Sequence, residues 1–178
     1  YCSNWDEVSI DSDLEVPADS WSLTLYSPAV DGLPDAIQRG ALIELRYENE
    51  TVLKGVVDRI QEPLSRQGGR LTLSGRDLVA VLLDNSVPVL VQQQVTIEEL
   101  ALKWVLTDFS SVIHNFLFLR ELDQLQTLVA IEPSESIWSA LTKAAESVGQ
   151  YIWIDAAGTL IIGNPFTQPQ PAAQNLII

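Results

Sequence analysis

The sequence lacks several residue types that particular functions need. Of its 178 residues, one is cysteine, one is histidine and none is methionine. A single cysteine, Cys2, cannot form a disulfide within the chain, so the fold must be stabilised by its core. The same counts exclude zinc sites of the usual cysteine and histidine types. Because methionine is absent, we expect the sequence to start inside a longer chain or to lack some residues.

Basic residues are also scarce, and this limits the possible partners. Ten lysines and arginines against 24 acids give a net charge of −14 and a pI near 4.2. Nucleic-acid binding and anionic membrane surfaces both require a cationic face, so both are disfavoured. No apolar run reaches the roughly 18–20 residues that cross a bilayer, and we expect no membrane insertion. With 47% hydrophobic residues, the chain is predicted to be soluble and globular.

The first half of the sequence predicts β-strands. Apolar residues alternate with polar ones in four segments: 20–27, 42–47, 51–60 and 70–74. In the first, Trp21, Leu23 and Leu25 share one face. The third segment has a mixed face, which predicts a bend or bulge near Gly55, and Gly68-Gly69 predicts a turn. Short strands with no long helix between them indicate a small antiparallel barrel or sandwich.

The second half predicts helices mixed with strands. Asp77 is expected to cap a short helix over 78–83, and Thr96 with Glu99 forms a capping box that opens a helix to about residue 106. Another helix starts at Ser134 or Ser136 and stops at Gly149. Strands are predicted at 87–91, 112–119, 125–131, 151–154 and 159–162. The strand at 112–119 is apolar on both faces, which indicates deep burial.

These elements predict an α+β protein with three parts. Residues 1–88 form a β-barrel-like domain, and residues 89–164 form an α+β domain with two helices and a C-terminal hairpin. Residues 165–178, rich in proline and glutamine, form an extended tail or a connection to a missing C-terminal half.

Patterns typical of catalysis or metal binding are weak. His114 lies in an apolar run, no G-x-S-x-G elbow accompanies it, and a packed or rim residue is the better interpretation. The acids at Asp11 and Asp13 lack the glycine and the distant glutamate of a calcium loop. We therefore predict no catalytic residue, no cofactor and no metal. Two other functions stay open: a cell-wall glycan hydrolase that uses two carboxylates, and a β-rich glycan- or protein-binding module with a tryptophan platform.

One ordered set of short motifs is more specific. Gly55 and Asp58 lie in a predicted strand, a hairpin follows, and Gly75-Arg76-Asp77 leads into a short helix and then Leu82, Asp84 and Ser86. We interpret the motif as architectural, because Gly75 permits a tight turn, Asp77 caps the helix, and Arg76 can pair with a nearby carboxylate or carbonyl.

The order of these motifs resembles the baseplate hub proteins of contractile-tailed phages, in particular the Mu-like P protein. That family is similar to late control protein D and to type VI secretion spike proteins. The resemblance covers most of the chain, as the N-terminal half of a hub subunit. It implies a non-enzymatic, trimeric component of a phage or prophage baseplate that joins the tail tube to the central spike. Assembly would start from the bacterial cytoplasm, and Gly55, Asp58, Gly75, Arg76 and Asp77 would be its structural signature.

The resemblance also suggests a role for the acidic residues. Residues 1–35 carry eight acids and no lysine or arginine. If this surface lined the channel of the hub, like charge would let DNA pass without sticking, an effect that salt would weaken. The acids could equally keep unassembled subunits apart and soluble. Both interpretations stay open.

Overall fold

The computed structural model describes residues 5–13, 16–26, 37–62, 64–65, 68–87, 91–92, 95–119, 129–130, 132 and 134–166. Its first half is an antiparallel sheet that curls into a half-barrel. The strands are β1 (Glu7–Asp11), β2 (Ser20–Tyr26), β3 (Leu42–Tyr47), β4 (Glu50–Gln61), β5 (Leu64–Ser65) and β6 (Gly68–Asp77). Their order is β1-β2-β6-β4-β3, and β5 pairs with the beginning of β6. The predicted small antiparallel β unit is confirmed.

The concave face of this sheet carries its own hydrophobic core. Alternate residues of β2, β4 and β6 point into it: Trp21, Leu23, Leu53, Val57, Leu71 and Leu73. Because side chains alternate between the two faces of a strand, each of these strands contributes every second residue.

Two register shifts interrupt the strand pairing of the first sheet, and one of them alters a face predicted from sequence. The predicted irregularity near Gly55 lies three residues later, where Asp58 is skipped between Val57 and Arg59 in the pairing with β6. The extra residue returns Ile60 to the core side, because one inserted residue inverts the alternation. A second shift, between Leu45 and Arg46, skips Val52 of β4 in the pairing with β3. Ile43 and Leu45 pack against the core from one face of β3, as the alternation predicts. Tyr47, the last residue of β3, is 70% exposed.

The second half packs three helices against small sheets. The helices are α1 (Val79–Leu83), α2 (Ile97–Phe109) and α3 (Ile137–Ser147). A three-stranded sheet contains β10 (Tyr151–Ile154), β11 (Thr159–Gly163) and β8 (Asn115–Phe118), with β8 parallel to β11. The strands β7 (Val91–Gln92) and β9 (Val129–Ala130) form a separate pair. The predicted α+β arrangement with two longer helices and a C-terminal hairpin is confirmed.

The predicted helix ends are confirmed at three positions. The Thr96 hydroxyl accepts the main-chain N–H of Glu99, and the Glu99 carboxylate accepts that of Thr96. Ser136, rather than Ser134, caps α3. Gly149 follows α3 with φ +69°, the left-handed conformation that ends helices.

Other strand predictions needed correction. The strand predicted at 112–119 is limited to Asn115–Phe118 and is not deeply buried, since Leu117 is 45% exposed. β8 is an edge strand of its sheet, so a face that looks apolar in sequence is only partly covered. Val87 lies outside any strand, and pairing resumes at Val91. Residues 88–90, 125–128, 131 and 167–178 lie outside the described residues.

A second hydrophobic core joins the helices to the three-stranded sheet. Its fully buried members include Leu82, Ile97, Leu141 and Leu160. Val56, on the convex face of β4, packs against this core. Within the part of the chain that is described, no helix is both long and apolar enough to cross a membrane.

Candidate functional site

The structure places the five signature residues side by side where β4 pairs with β6 and α1 begins. Gly55 is opposite Asp77, and Gly75 is opposite Val57. Asp58 and Arg76 meet on the convex face through their side chains. The two glycines instead face Trp21 on the concave side. The cluster therefore has an ionic face and an aromatic face, separated by the sheet.

On the concave side, both glycines make room for one indole ring. Trp21 is 2% exposed, and its Nε1 donates to the main-chain oxygen of Arg76 at 3.1 Å. A Cβ on Gly55 would lie 2.8 Å from that Nε1, and a Cβ on Gly75 would lie 2.8 Å from the Trp21 ring. The predicted turn at Gly75 is not present, since among the described glycines positive φ occurs at Gly40, Gly149 and Gly158. Gly75 is required for close approach within the sheet.

On the convex side, the Arg76 guanidinium bridges two carboxylates. Its Nε and Nη2 donate to Asp58 at 2.7 and 3.0 Å, and its Nη1 and Nη2 donate to Asp84 at 3.1 and 2.8 Å. Hydrogen bonds to Asp58 and then Asp84 raise the pKa of Arg76, and the bond from Arg76 lowers the pKa of Asp84. Because Asp84 follows α1, this network fixes the helix against the sheet.

Asp58 takes part in the network because of the β-bulge. The skipped residue leaves the ladder, and its carboxylate turns towards Arg76. Its main-chain oxygen accepts a hydrogen bond from Arg39 Nε at 2.9 Å. Bulges commonly redirect a side chain in this way.

Asp77 lies at the end of β6 and is 8% exposed. Its Oδ1 accepts the main-chain N–H of Val79 at 3.0 Å, so the carboxylate holds the first turn as predicted. The helix starts one residue later than predicted, with Leu78 at its N-cap position. Burial raises the pKa of Asp77 to about 7, and the charge of Asp19 adds to this. The pKa of Asp77 is lowered, to a smaller extent, by main-chain hydrogen bonds from Val79 and Asp19 and by the charge of Arg76.

Asp77 also forms part of the wall of a cavity of about 500 Å³. The cavity lies between residues 12–13 and 16–19, the start of α1, one face of α3 and β10. Asp19 lines it too, so one desolvated carboxyl and a second acid share a cleft, as a glycan hydrolase would require. Asp77 Oδ1, however, is used by the helix cap, so we assign this carboxyl a structural role.

The remaining sequence candidates lie elsewhere. His114 is exposed, in line with a rim residue. Trp104 and Trp138 are buried like Trp21, and Trp153 is half-buried, so most tryptophans serve packing rather than an exposed platform. Among the residues the structure describes, no three histidine, cysteine or acidic side chains cluster closely enough to hold a metal ion.

Sequence reasoning missed the participation of Trp21 and Asp84 in this site. Trp21 was assigned only to a core strand, although it pairs with Gly75 across the ladder. Asp84 was part of the motif without a partner. An aspartate at the end of a short helix that follows an Arg-Asp pair could have suggested the contact. A five-residue helix is only about 8 Å long, so its end stays within reach of the long arginine side chain.

We expect the substitution Arg76→Lys to lower the free energy of unfolding by about 1–2 kcal/mol. A lysine ammonium cannot donate to two carboxylates in the paired geometry of a guanidinium. Urea unfolding followed by tryptophan fluorescence measures the change. Arg46→Lys is the matched control, because Arg46 contacts Glu44 at 3.6 Å on the exposed surface and should cost less than about 0.5 kcal/mol. Equal losses for both variants would contradict a structural role for the bridge.

Comparison with known proteins finds a family model that is similar to the first part of the chain. Residues 1–77 match the family described as Mu phage baseplate assembly protein GpP-like, N-terminal. The match ends at Asp77, the last residue of β6. No curated protein sequence matches the chain significantly.

Solved structures extend the likeness beyond residue 77. A tail protein from Neisseria meningitidis MC58 is 30% identical with a TM-score of 0.76, covering 89% of this chain and 46% of its own. The 43 kDa tail protein of prophage MuSo2 from Shewanella oneidensis is 20% identical with a TM-score of 0.79, covering 91% and 50%. An E. coli type VI secretion component, described as structurally similar to T4 bacteriophage tail proteins, is 14% identical with a TM-score of 0.56, covering 88% and 48%.

The chain spans about half the length of the tail proteins that it matches. The two less similar structures show the shared fold alone. Together with the family match, these comparisons confirm the resemblance to phage baseplate proteins and their type VI secretion counterparts.

Proposed function

We propose that this protein is a structural subunit of a phage or prophage tail baseplate hub. The premise is the similarity of residues 1–77 to the GpP-like baseplate proteins. The observation that carries the proposal is the family match together with the 30% identical tail protein, which covers 89% of the chain. In this role the subunit joins the tail tube to the central spike and surrounds the channel. It works in the virion tail after assembly from the bacterial cytoplasm.

The signature residues serve this role as a joint between two domains. Arg76 connects the bulge of the first sheet to the end of α1 through Asp58 and Asp84. Val79 and Leu82 of α1 pack into the second core. We propose the limits 1–88, 89–164 and 165–178 for the two domains and the connection to the rest of the subunit, with the joint close to the first limit. A stiff joint suits a part that transmits force between tube and spike.

The edges of the first sheet suit contacts between subunits. β1 and β3 terminate the strand order, so among the described strands each has one side without a partner. Large apolar side chains are exposed on them: Val8 at 59%, Leu42 at 55% and Tyr47 at 70%. Exposed edges and apolar side chains favour association. We propose that these edges contribute to a trimer of the full-length protein, with DNA passing through its channel without binding.

We also propose that the protein has no catalytic activity. The tail proteins that it resembles point to an assembly role, and the desolvated Asp77 carboxyl is occupied by the helix cap. The purified full-length protein is therefore expected to leave peptidoglycan intact in a clearance assay. Clearance that disappears in Asp19→Asn would contradict the structural proposal and support the hydrolase alternative.

Native mass spectrometry of the full-length protein tests the hub proposal directly. We expect a trimer, alone or with the co-expressed spike protein, and a shift towards monomer when Leu42→Lys and Tyr47→Lys are combined. Leu106→Lys is the matched control, since Leu106 is an exposed apolar residue on α2, away from the sheet edges. A monomer that binds neither spike nor tube protein would overturn the proposal. A trimer unaffected by the β3 variants would show that the interface lies elsewhere.

A further inference from the structure

The cavity beside Asp77 runs along the free side of a strand. All four residues of β10 line it. Ile152 and Ile154 pack against the second hydrophobic core. Because side chains alternate along a strand, Tyr151 and Trp153 lie on the opposite face of the sheet. A cavity that touches both pairs lies along the side of β10. Since β10 ends the strand order of its sheet, none of the described strands pairs with that side.

The main chain of β10 presents hydrogen-bonding groups on this side. Asp155 donates its N–H to the main-chain oxygen of Thr159 at 3.0 Å, directly after β10 and at the start of β11. In an antiparallel pair every second residue is bonded to the partner strand. The N–H and C=O groups of Ile152 and Ile154 therefore point away from β11, towards the cavity. A strand edge of this kind is a template for an added strand.

The chain itself leads into this cavity. Phe166, the last residue that the structure describes, lines it. The ring of Phe166 meets that of Tyr151 edge to face, with centroids 5.8 Å apart. After β11 the chain has thus already passed to the free side of β10, and residues 167–178 continue from there. None of these twelve residues is charged, so the acids on the cavity wall do not repel them.

The spacing of prolines in residues 167–178 is compatible with an edge strand. Pro169 and Pro171 are two residues apart. A strand presents every second N–H to the same neighbour, and proline has no N–H. Both prolines can face away from β10 while Gln168, Gln170 and Ala172 pair with it, which is how sheets accept proline at an edge. The residue before each proline also favours an extended backbone.

We propose that residues 168–172 bind in this cavity as an added strand beside β10. The addition gives partners to the outward main-chain groups of Ile152 and Ile154 and covers the aromatic side chains of the wall. Because the segment already favours an extended conformation, little conformational freedom is lost when it binds. The added strand fixes the direction in which the chain leaves the three-stranded sheet. This inference stands apart from the hub proposal, since it rests on the cavity and on the segment that follows it.

Amide hydrogen exchange of the 178-residue chain, measured by NMR, tests the proposal. The amides of Ile152 and Ile154 are expected to exchange at least about tenfold more slowly than in a chain that ends at Phe166. The amide of Trp153 is the internal control, because it faces β11 and should change less.

Two results would overturn the proposal. If Ile152 and Ile154 exchange equally fast with and without residues 167–178, the segment does not cover this edge, and the edge is open to a strand of another protein. If the slow exchange appears only at high protein concentration, a second copy of the chain supplies the strand.

A pair of proline variants tests whether the segment binds as a strand. Gln170→Pro removes an N–H on the side that pairs with β10, and Ala173→Pro removes one on the side that faces away. We expect Gln170→Pro to speed exchange at Ile152 and Ile154 as much as removal of the whole segment, and Ala173→Pro to leave it unchanged. Equal effects of the two variants would contradict strand pairing. Thermal unfolding checks that each variant is folded.

Discussion

Gly75→Ala is expected to lower the free energy of unfolding by about 3 kcal/mol or more, the largest effect we predict for one added methyl group. A Cβ at this position would lie 1.8 Å from the main-chain oxygen of Val56 and 2.8 Å from the ring of Trp21. The first obstacle is the backbone of the neighbouring strand, so β4 and β6 would have to separate at the centre of the sheet. Urea unfolding measures the loss, with the near-ultraviolet signal of Trp21 as a local readout.

Two controls separate crowding from the general cost of replacing glycine. Gly149→Ala has open space around the new Cβ but a backbone with φ +69°, and should cost about 1–2 kcal/mol. The double variant Gly75→Ala with Trp21→Leu should not recover the stability of Trp21→Leu alone, because the Val56 oxygen remains in the way. Full recovery in the double variant would show that the ring, and not the strand spacing, requires Gly75.

Asp77→Asn is expected to stabilise the protein at pH 8 and to have little effect at pH 4. A carboxyl whose pKa is higher in the folded than in the unfolded state holds its proton more tightly when folded. The folded state therefore loses stability as the pH rises from about 4 to about 7. A difference of about three between the two pKa values corresponds to about 4 kcal/mol as an upper limit. Asparagine keeps an oxygen for the Val79 N–H and removes the charge.

The comparison is made as the difference in stability between variant and parent at each pH, because other acids titrate in the same range. Asp84→Asn is the matched control with the opposite sign, since the bond from Arg76 lowers the pKa of Asp84. Removing the charge of Asp84 should lower the free energy of unfolding above pH 5 and have a smaller effect at acidic pH. If Asp77→Asn is less stable than the parent at pH 8, the contacts of the ionised carboxylate must stabilise it by more than the free energy that burying its charge costs.

Much of the fold could be predicted because it depends on short-range patterns. Alternation in residues 20–27 predicts β2, and Thr96 with Glu99 predicts the start of α2, because a cap and its helix lie within four residues of each other. The order of Gly55, Asp58 and Gly75-Arg76-Asp77 was sufficient to suggest a baseplate family, and the comparisons confirm it.

The predictions that were wrong concern strand register and sheet position. Ile60 lies on the core side because of the bulge at Asp58, and Leu117 is exposed because β8 is an edge strand. Neither fact is visible in the alternation of one segment, since a bulge depends on the partner strand. An apolar strand has the same sequence at the edge of a sheet and at its centre.

The α+β class, the helix ends, the acidic character and the resemblance to phage baseplate proteins follow from the sequence alone. These features depend on composition and on neighbours along the chain. Only the tertiary structure decides what the signature residues do. The bulge turns Asp58 towards Arg76, α1 brings Asp84 to the same guanidinium, and Trp21 fills the space that Gly55 and Gly75 leave. Each of these contacts joins residues from separate segments, and strand pairing, which acts over long distances in sequence, is what brings them together.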